Sequence, residues 1–193
     1  AKSVVVGPWK RVLLNAKHGE IDLVLGLKKV PERELYLHYT DVPLLQNPVA
    51  IFVAKNKAFP FNRWEDLIGK KGNLNAGDRF GNEFDLFISQ SLTTHRTKGL
   101  DANFKMLIRG RADYFITGLH TGKVFLSTSN LQGEISILPN SVLSGPIHFG
   151  FSRSSKCVVL VDDFNRELQR LMDDNVIDKI FEDNYKLWLE YKK

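Results

Sequence analysis

Gly77-Asp78-Arg79-Phe80-Gly81-Asn82 is the stretch best suited to hold a ligand, because its glycines punctuate a loop between a predicted strand and a predicted helix. Backbone amides at such a turn point toward an anion lying above them. The loop lacks the Lys-Ser/Thr pair of a nucleotide phosphate loop. His18, His38, His95, His120 and His148 are scattered, with no His-Glu-x-x-His pattern and no glycine-flanked nucleophilic serine. Asp22 and Asp113 each follow a helix-ending glycine and read as turn residues, not as a catalytic carboxylate pair. Cys157 is the one cysteine, which excludes an internal disulfide and a Cys-based zinc cluster; Val158, Val159, Leu160 and Val161 after it suggest a buried position. No acid, base and nucleophile group together, so binding without cofactor or metal is expected, and catalysis is not.

The elements that must position this loop carry a repeat. Leu13 to Leu27 is echoed by Lys105 to Leu119: an apolar-periodic helix, a glycine (Gly19, Gly110), an aspartate (Asp22, Asp113) and a short apolar strand ending in Gly-Leu. Two α/β halves of related construction follow, and clefts between such halves hold small ligands. Strands are predicted at Lys2–Val6, Ile21–Leu27, Pro48–Ala54, Gly72–Ala76, Ala112–Thr117, Ile135–Leu138 and Ile147–Ser152. Helices are predicted from Trp9 to Lys17, around Trp64–Ile68 with a cap near Asn62, from Glu83 to Leu92, up to Arg109 with Asp101 as cap, from His120 to Ser127, and through a tail broken near Asp174-Asn175. A return to long helices at the end places residues 54–147 as a lobe inserted into a first lobe made of 1–53 and 148–193, with two crossings acting as a hinge.

With 43% hydrophobic residues the chain can bury a core, and no run reaches the roughly 18 apolar residues of a membrane span. The net charge of +5 comes with acidic residues interleaved nearly everywhere, which argues against nucleic acid as a partner and suits anionic small ligands. No charged-then-apolar leader precedes Ala1, so a signal peptide is either absent or already removed.

An ordered train of motifs resembles the polar amino-acid family of bacterial extracytoplasmic solute-binding proteins, with the type II periplasmic-binding-protein topology. It comprises Pro8-Trp9-Lys10-Arg11, Gly19-Glu20-Ile21-Asp22, Pro31-Glu32-Arg33, Pro43-Leu44, Val49 to Val53 and Trp64-Glu65-Asp66-Leu67-Ile68-Gly69-Lys70. It continues through Gly77-Asp78-Arg79-Phe80-Gly81, Gly110-Arg111-Ala112-Asp113 and Phe164-Asn165-Arg166-Glu167-Leu168, and so spans essentially the whole chain. The resemblance implies an α/β fold of two lobes, each a mostly parallel sheet flanked by helices, closing over a small polar ligand in the periplasm. The implied partner is the membrane permease of an ABC transporter or a sensor. The family begins with a strand and helix ahead of the place where Ala1 stands, so the expected gap is an exposed strand edge open to self-association.

By the same resemblance Arg33 forks onto a ligand carboxylate, Trp9 covers a wall of the pocket, and the loop from Gly77 matches the segment of the other lobe whose amides and hydroxyls hold the same carboxylate, with Asp78 and Arg79 standing where small hydroxyl residues are usual. Alternatives stay open: Arg33 as a surface arginine pairing with Glu32 or Glu34, Trp9 as core, Arg79 as a second cation or a solvated charge, and Asp78 as a helix cap. The family's ammonium-binding acid falls on Gly118 beside Thr117, and its serine-rich strand end falls on Gly26 and Leu27, so the hydroxyl and carboxylate side chains of an α-amino acid binder are missing. The alternative function is a ligand-sensing or protein-interaction module with an altered cleft.

Overall fold

The computed structural model describes residues 7–143 and 145–190, excepting the side chains of 185 and 187–190; the strand expected at Lys2–Val6 lies outside it. In chain order the elements are α1 (Trp9–Lys17), β1 (Leu23–Leu27), α2 (Pro31–Glu34), β2 (Leu37–Tyr39), β3 (Leu45–Gln46), β4 (Val49–Ala54), β5 (Lys71–Asn75), α3 (Asn82–Ser91) and β6 (Thr93–Thr97). After them come α4 (Leu100–Ile108), β7 (Tyr114–Gly118), α5 (Leu119–Thr128), β8 (Ile135–Ile137), β9 (Pro146–Ser152), α6 (Val161–Asp173) and α7 (Val176–Glu190). Short 3-10 turns lie at Trp64–Leu67, Gln132–Glu134 and Lys156–Leu160. The chain divides into two compact units, Ala1–Gln46 with Pro146–Lys193, and Asn47–Gly145.

In the first unit β9 lies between β1 and β2 and also pairs with β3, every pair among the described residues being antiparallel. For the described strands of this unit the expectation of a mostly parallel sheet is corrected. The reason lies in the path of the chain: it leaves along β3 and returns along β9, and Leu45 faces Ile147 while Gln46 faces Pro146 in a two-way pair. Trp9, Val12, Leu13 and Ala16 recur at helical spacing along α1 and pack onto Val24, Leu27, Leu37 and Tyr39. The tail breaks where expected, with Asn175 at φ 54 between α6 and α7, a left-handed position that Asn tolerates.

The second unit has a sheet in the order β6-β5-β7-β4-β8, parallel from β6 through β7 and antiparallel across β4. β4 is apolar throughout because both its faces are covered. Val49, Ile51 and Val53 join Leu74, Phe84, Ile88, Tyr114 and Ile116 on one side. Ala50 and Phe52 join Phe104, Leu107, Phe115 and Leu126 on the other. Full burial of a side chain such as Phe52 stabilises the fold by about 1.5–3 kcal/mol. Gly122 lets α5 reach that layer, since a Cβ there would stand 2.1 Å from the Phe52 ring.

Two local expectations, at Asp101 and at Cys157, are corrected. Gly99 occupies the cap of α4, and Asp101 sits in the first turn, paired with Lys105 at 2.8 Å. The cap expected near Asn62 falls on its neighbour Arg63, where the Asp66 carboxylate reaches back to accept from the amides of Asn62 (2.7 Å) and Arg63 (3.1 Å), which hold its carboxyl below the usual range. Cys157 is half-buried and Val159 is exposed, because the segment forms a 3-10 turn at the surface and not a core strand.

Candidate functional site

In the first unit the structure brings Arg33 and Trp9 together. Pro31 starts the single turn of α2, since a proline suits the first helical position, and this sets Arg33 inward with only 4% of its surface exposed. The Arg33 Nη1 donates to the Lys28 carbonyl at 3.3 Å, and its guanidinium carbon lies 5.8 Å from the centre of the Trp9 ring. Pro8 ahead of α1 places Trp9 on the first turn of that helix, half-buried. The Tyr39 hydroxyl donates to the same Lys28 carbonyl at 3.1 Å. Burial pushes the Tyr39 phenol up to about 12, against the pull of the Arg33 guanidinium. Lys28 itself is held below the ordinary lysine range by burial. Gly26 has φ +68 at an irregularity in the β1–β9 register, and Leu27 turns its side chain into the core at 2% exposure. Only backbone at these two positions can face a solute.

In the second unit Gly77 turns the chain out of β5 with φ +93. Asp78 is not the cap of α3. Its Oδ1 accepts from Asn75 Nδ2 at 3.1 Å, whereas the Asp85 carboxylate accepts from the amides of Phe80 (3.2 Å) and Gly81 (3.4 Å). The chain thus supplies its own anion to two of the amides of this glycine loop. Burial raises the Asp85 pKa above the usual aspartate value despite those amides and the nearby Arg79 and Arg96. Arg79 Nη1 donates to the Asp78 carbonyl at 3.3 Å, and Arg96, on β6, donates to that same oxygen at 3.1 Å.

Thr117 and Gly118 close β7 opposite Ala50 and Val49. Thr117 is buried at 2% exposure. A Cβ on Gly118 would meet Asn47 Nδ2 at 2.5 Å, and Asn47 Oδ1 accepts from the His120 amide at 3.3 Å. The glycine is needed where Asn47 packs over the strand end. Lys28, Tyr39, Asn47 and Arg96 stand in no motif of the sequence. Only Tyr39 left a signal, the alternation of buried Leu37 and Tyr39 around exposed His38.

No family model matches the chain, and no curated protein matches it in sequence. Solved structures do match. A mutant of ArgBP from T. maritima is 19% identical with a TM-score of 0.79, over 95% of this chain and 77% of that one. The amino acid ABC transporter substrate-binding protein AbpA from Streptococcus pneumoniae, bound to L-arginine, is also 19% identical with a TM-score of 0.79, over 97% and 77%. The GluR0 ligand binding core in complex with L-glutamate is 17% identical with a TM-score of 0.77, over 98% and 81%. These likenesses establish the fold as the two-lobed α/β fold of substrate-binding proteins, with two sheets flanked by helices. Among the described residues no helix is long and apolar enough to cross a membrane.

Proposed function

We propose that this chain is an extracytoplasmic solute-binding protein taking a small polar, carboxylate-bearing ligand, an amino acid or related acid, for ABC-type uptake. The observation that carries the reading is the fixed Arg33 guanidinium, packed over Trp9 and tied to the Lys28 carbonyl. A planar fork held in place loses little freedom on meeting a carboxylate, and burial strengthens the attraction. The fold adds support, since AbpA and the GluR0 core are solved with L-arginine and L-glutamate. In the second unit the roles proposed are backbone contacts at Gly77 and Gly118, hydroxyl donation by Thr117 and charge from Arg79, with Asp78 bracing the loop through Asn75. Glycine at 118 offers no side chain to neutralise an ammonium, so in this reading the ligand is recognised through its carboxylate at Arg33.

A thermal-shift screen of amino acids, carboxylic acids, amines and small peptides tests this. A specific ligand at a hundredfold excess over Kd stabilises the fold by about 2.7 kcal/mol. Arg33→Ala is expected to abolish the shift produced by a carboxylate ligand, and an unchanged response in that variant removes the assignment. A second reading, a sensory or interaction module whose cleft is altered, draws on the strand ends: the Leu27 side chain is in the core and Asn47 covers Gly118. That role predicts no shift with any compound of the screen.

A further inference from the structure

A buried tyrosine stands beside the Arg33 guanidinium. Tyr39 closes β2 opposite Gly150 of β9, joins Val24, Leu27 and Leu37 in the core of the first unit, and meets the His148 ring edge-on with 6.4 Å between ring centres. A tyrosine has only two side-chain torsions, so packing of this kind fixes its oxygen. The hydroxyl donates to the Lys28 carbonyl at 3.1 Å, and the same oxygen accepts from Arg33 Nη1 at 3.3 Å. Arg33 also acts on the phenol itself, by its charge and by a side-chain hydrogen bond. Burial is the largest influence and pushes the phenol up to about 12, so the hydroxyl keeps its proton and remains a donor. Tyrosine, guanidinium and carbonyl thus close a triangle that ties together β2, the turn of α2 and the segment after β1. Hydrogen bonds linked in this way in a water-poor interior reinforce one another.

We infer that Tyr39 is a positioning residue for carboxylate recognition: its hydroxyl, anchored on the Lys28 carbonyl, sets the plane in which the Arg33 fork meets a carboxylate. Bidentate pairing depends on that plane, because two parallel N–H bonds must reach two oxygens at once. A guanidinium free to swing must be immobilised by the ligand itself, and affinity falls by that cost. The inference rests on the proposed solute-binding reading and adds the residue that orients its arginine.

The test is calorimetric titration of the whole chain with propionate, succinate and L-glutamate, for the unaltered protein and for Tyr39→Phe, Arg33→Lys, Arg33→Ala and the double variant Tyr39→Phe with Arg33→Lys. Phenylalanine keeps the ring in the core, so Tyr39→Phe should fold and should weaken the best-bound of these solutes by about tenfold, as expected for one lost hydrogen bond. Arg33→Lys keeps the charge and loses the fork, and should bind more weakly. On that background Tyr39→Phe should cost nothing further, because the group it orients is gone. His38→Ala, at the exposed position of the same strand, should bind as the unaltered protein does. Without any solute, nitrogen NMR of the Arg33 Nε–H should show faster exchange with water in Tyr39→Phe, a change that a loss of stability elsewhere in the unit would not single out. Unchanged exchange at Arg33, or equal losses from Tyr39→Phe on both backgrounds, overturns the inference. If Arg33→Ala abolishes binding while Tyr39→Phe titrates like the unaltered protein, the carboxylate reading stands and only the role of Tyr39 falls. Binding that Arg33→Ala leaves intact, or no binding of any of the three solutes, removes the reading and the inference with it.

Discussion

The two copies of the helix-glycine-aspartate-strand motif begin alike and end differently. Gly19 and Gly110 both adopt left-handed backbone, with φ 78 and φ 66. Both aspartates serve a neighbouring segment and not their own turn, against the expectation for turn residues. The Asp113 carboxylate accepts from the Lys71 amide at 2.7 Å, and its own amide donates to the Lys71 carbonyl at 2.7 Å, clasping the start of β5. Asp22 accepts from the Ser155 hydroxyl, and its carbonyl accepts from the Ser152 amide at 2.9 Å, clasping the end of β9. Beyond these clasps the copies part. β7 lies between β5 and β4, and Tyr114 to Thr117 are all buried. β1 pairs with β9 alone among the described residues, and Leu25 is 62% exposed. Leu23-Val24-Leu25-Gly26-Leu27 is as apolar as its counterpart, so the number of strand neighbours, not the local text, decides which side chains leave water.

Replacing one strand residue per copy should show the difference at its largest. Phe115→Ala is expected to cost about 3–5 kcal/mol, because Phe115 is fully buried against Phe52 and Phe104. Leu25→Ser should stay within about 0.5 kcal/mol, as exposed substitutions do. Urea unfolding of both variants measures the gap, and equal losses would mean that β1 is as deeply buried as β7.

The shared glycine turn allows a finer comparison. Alanine at either site bears the left-handed backbone cost of about 1–2 kcal/mol. At Gly19 the new Cβ also meets Ser154 Cβ at 3.0 Å and the Ser154 carbonyl at 3.3 Å, whereas at Gly110 it meets only the flexible end of Lys57 at 3.2 Å. Gly19→Ala should therefore lower the melting midpoint further than Gly110→Ala.

The smallest effect separates the units by pH. His148 on β9 is buried, its Nδ1 2.9 Å from the Thr40 carbonyl. Burial and then Lys29 hold its pKa below the ordinary histidine value, against the carbonyls of Thr40 and Val42 and the charge of Asp41. The unfolded chain then takes the proton first, so this contribution to stability is present above the ordinary histidine pKa and is lost as pH falls through it toward the folded value. Asp85 runs the other way: its raised pKa means the folded state takes the proton first and gains as pH falls through the raised value. Unfolding curves at successively lower pH should show acid sensitivity reduced in His148→Gln and increased in Asp85→Asn.

What the sequence conveys tracks how local each cause is. The apolar run of β4, the helical spacing of α1 and the break at Asn175 were legible because each is written in consecutive residues. β2 and β3 are too short to show a period, and β6, Thr93-Thr94-His95-Arg96-Thr97, is a polar edge strand with no apolar alternation. The antiparallel first sheet was hidden because β1 and β9 are far apart in the chain. The same distinction applies to the candidate site. Pro31-Glu32-Arg33 and the glycine loop stand out as motifs, but the meeting of Arg33 with Trp9, of Asn47 with Gly118 and of Arg96 with the Asp78 carbonyl depends on tertiary contacts.

The second unit begins and ends at a single hydrogen bond, from the Asn47 amide to the Gly145 carbonyl at 3.2 Å. Its two ends are neighbours, and so are the ends it leaves behind, since Gln46 pairs with Pro146. Residues 47–145 are thus a cassette: a tight turn between β3 and β9 would reseal the host as a hairpin, and the excised piece could be closed on itself or reopened at an exposed loop with little chain entropy at stake. Modularity of this kind lets one half of such a molecule change its chemistry while the other keeps its own.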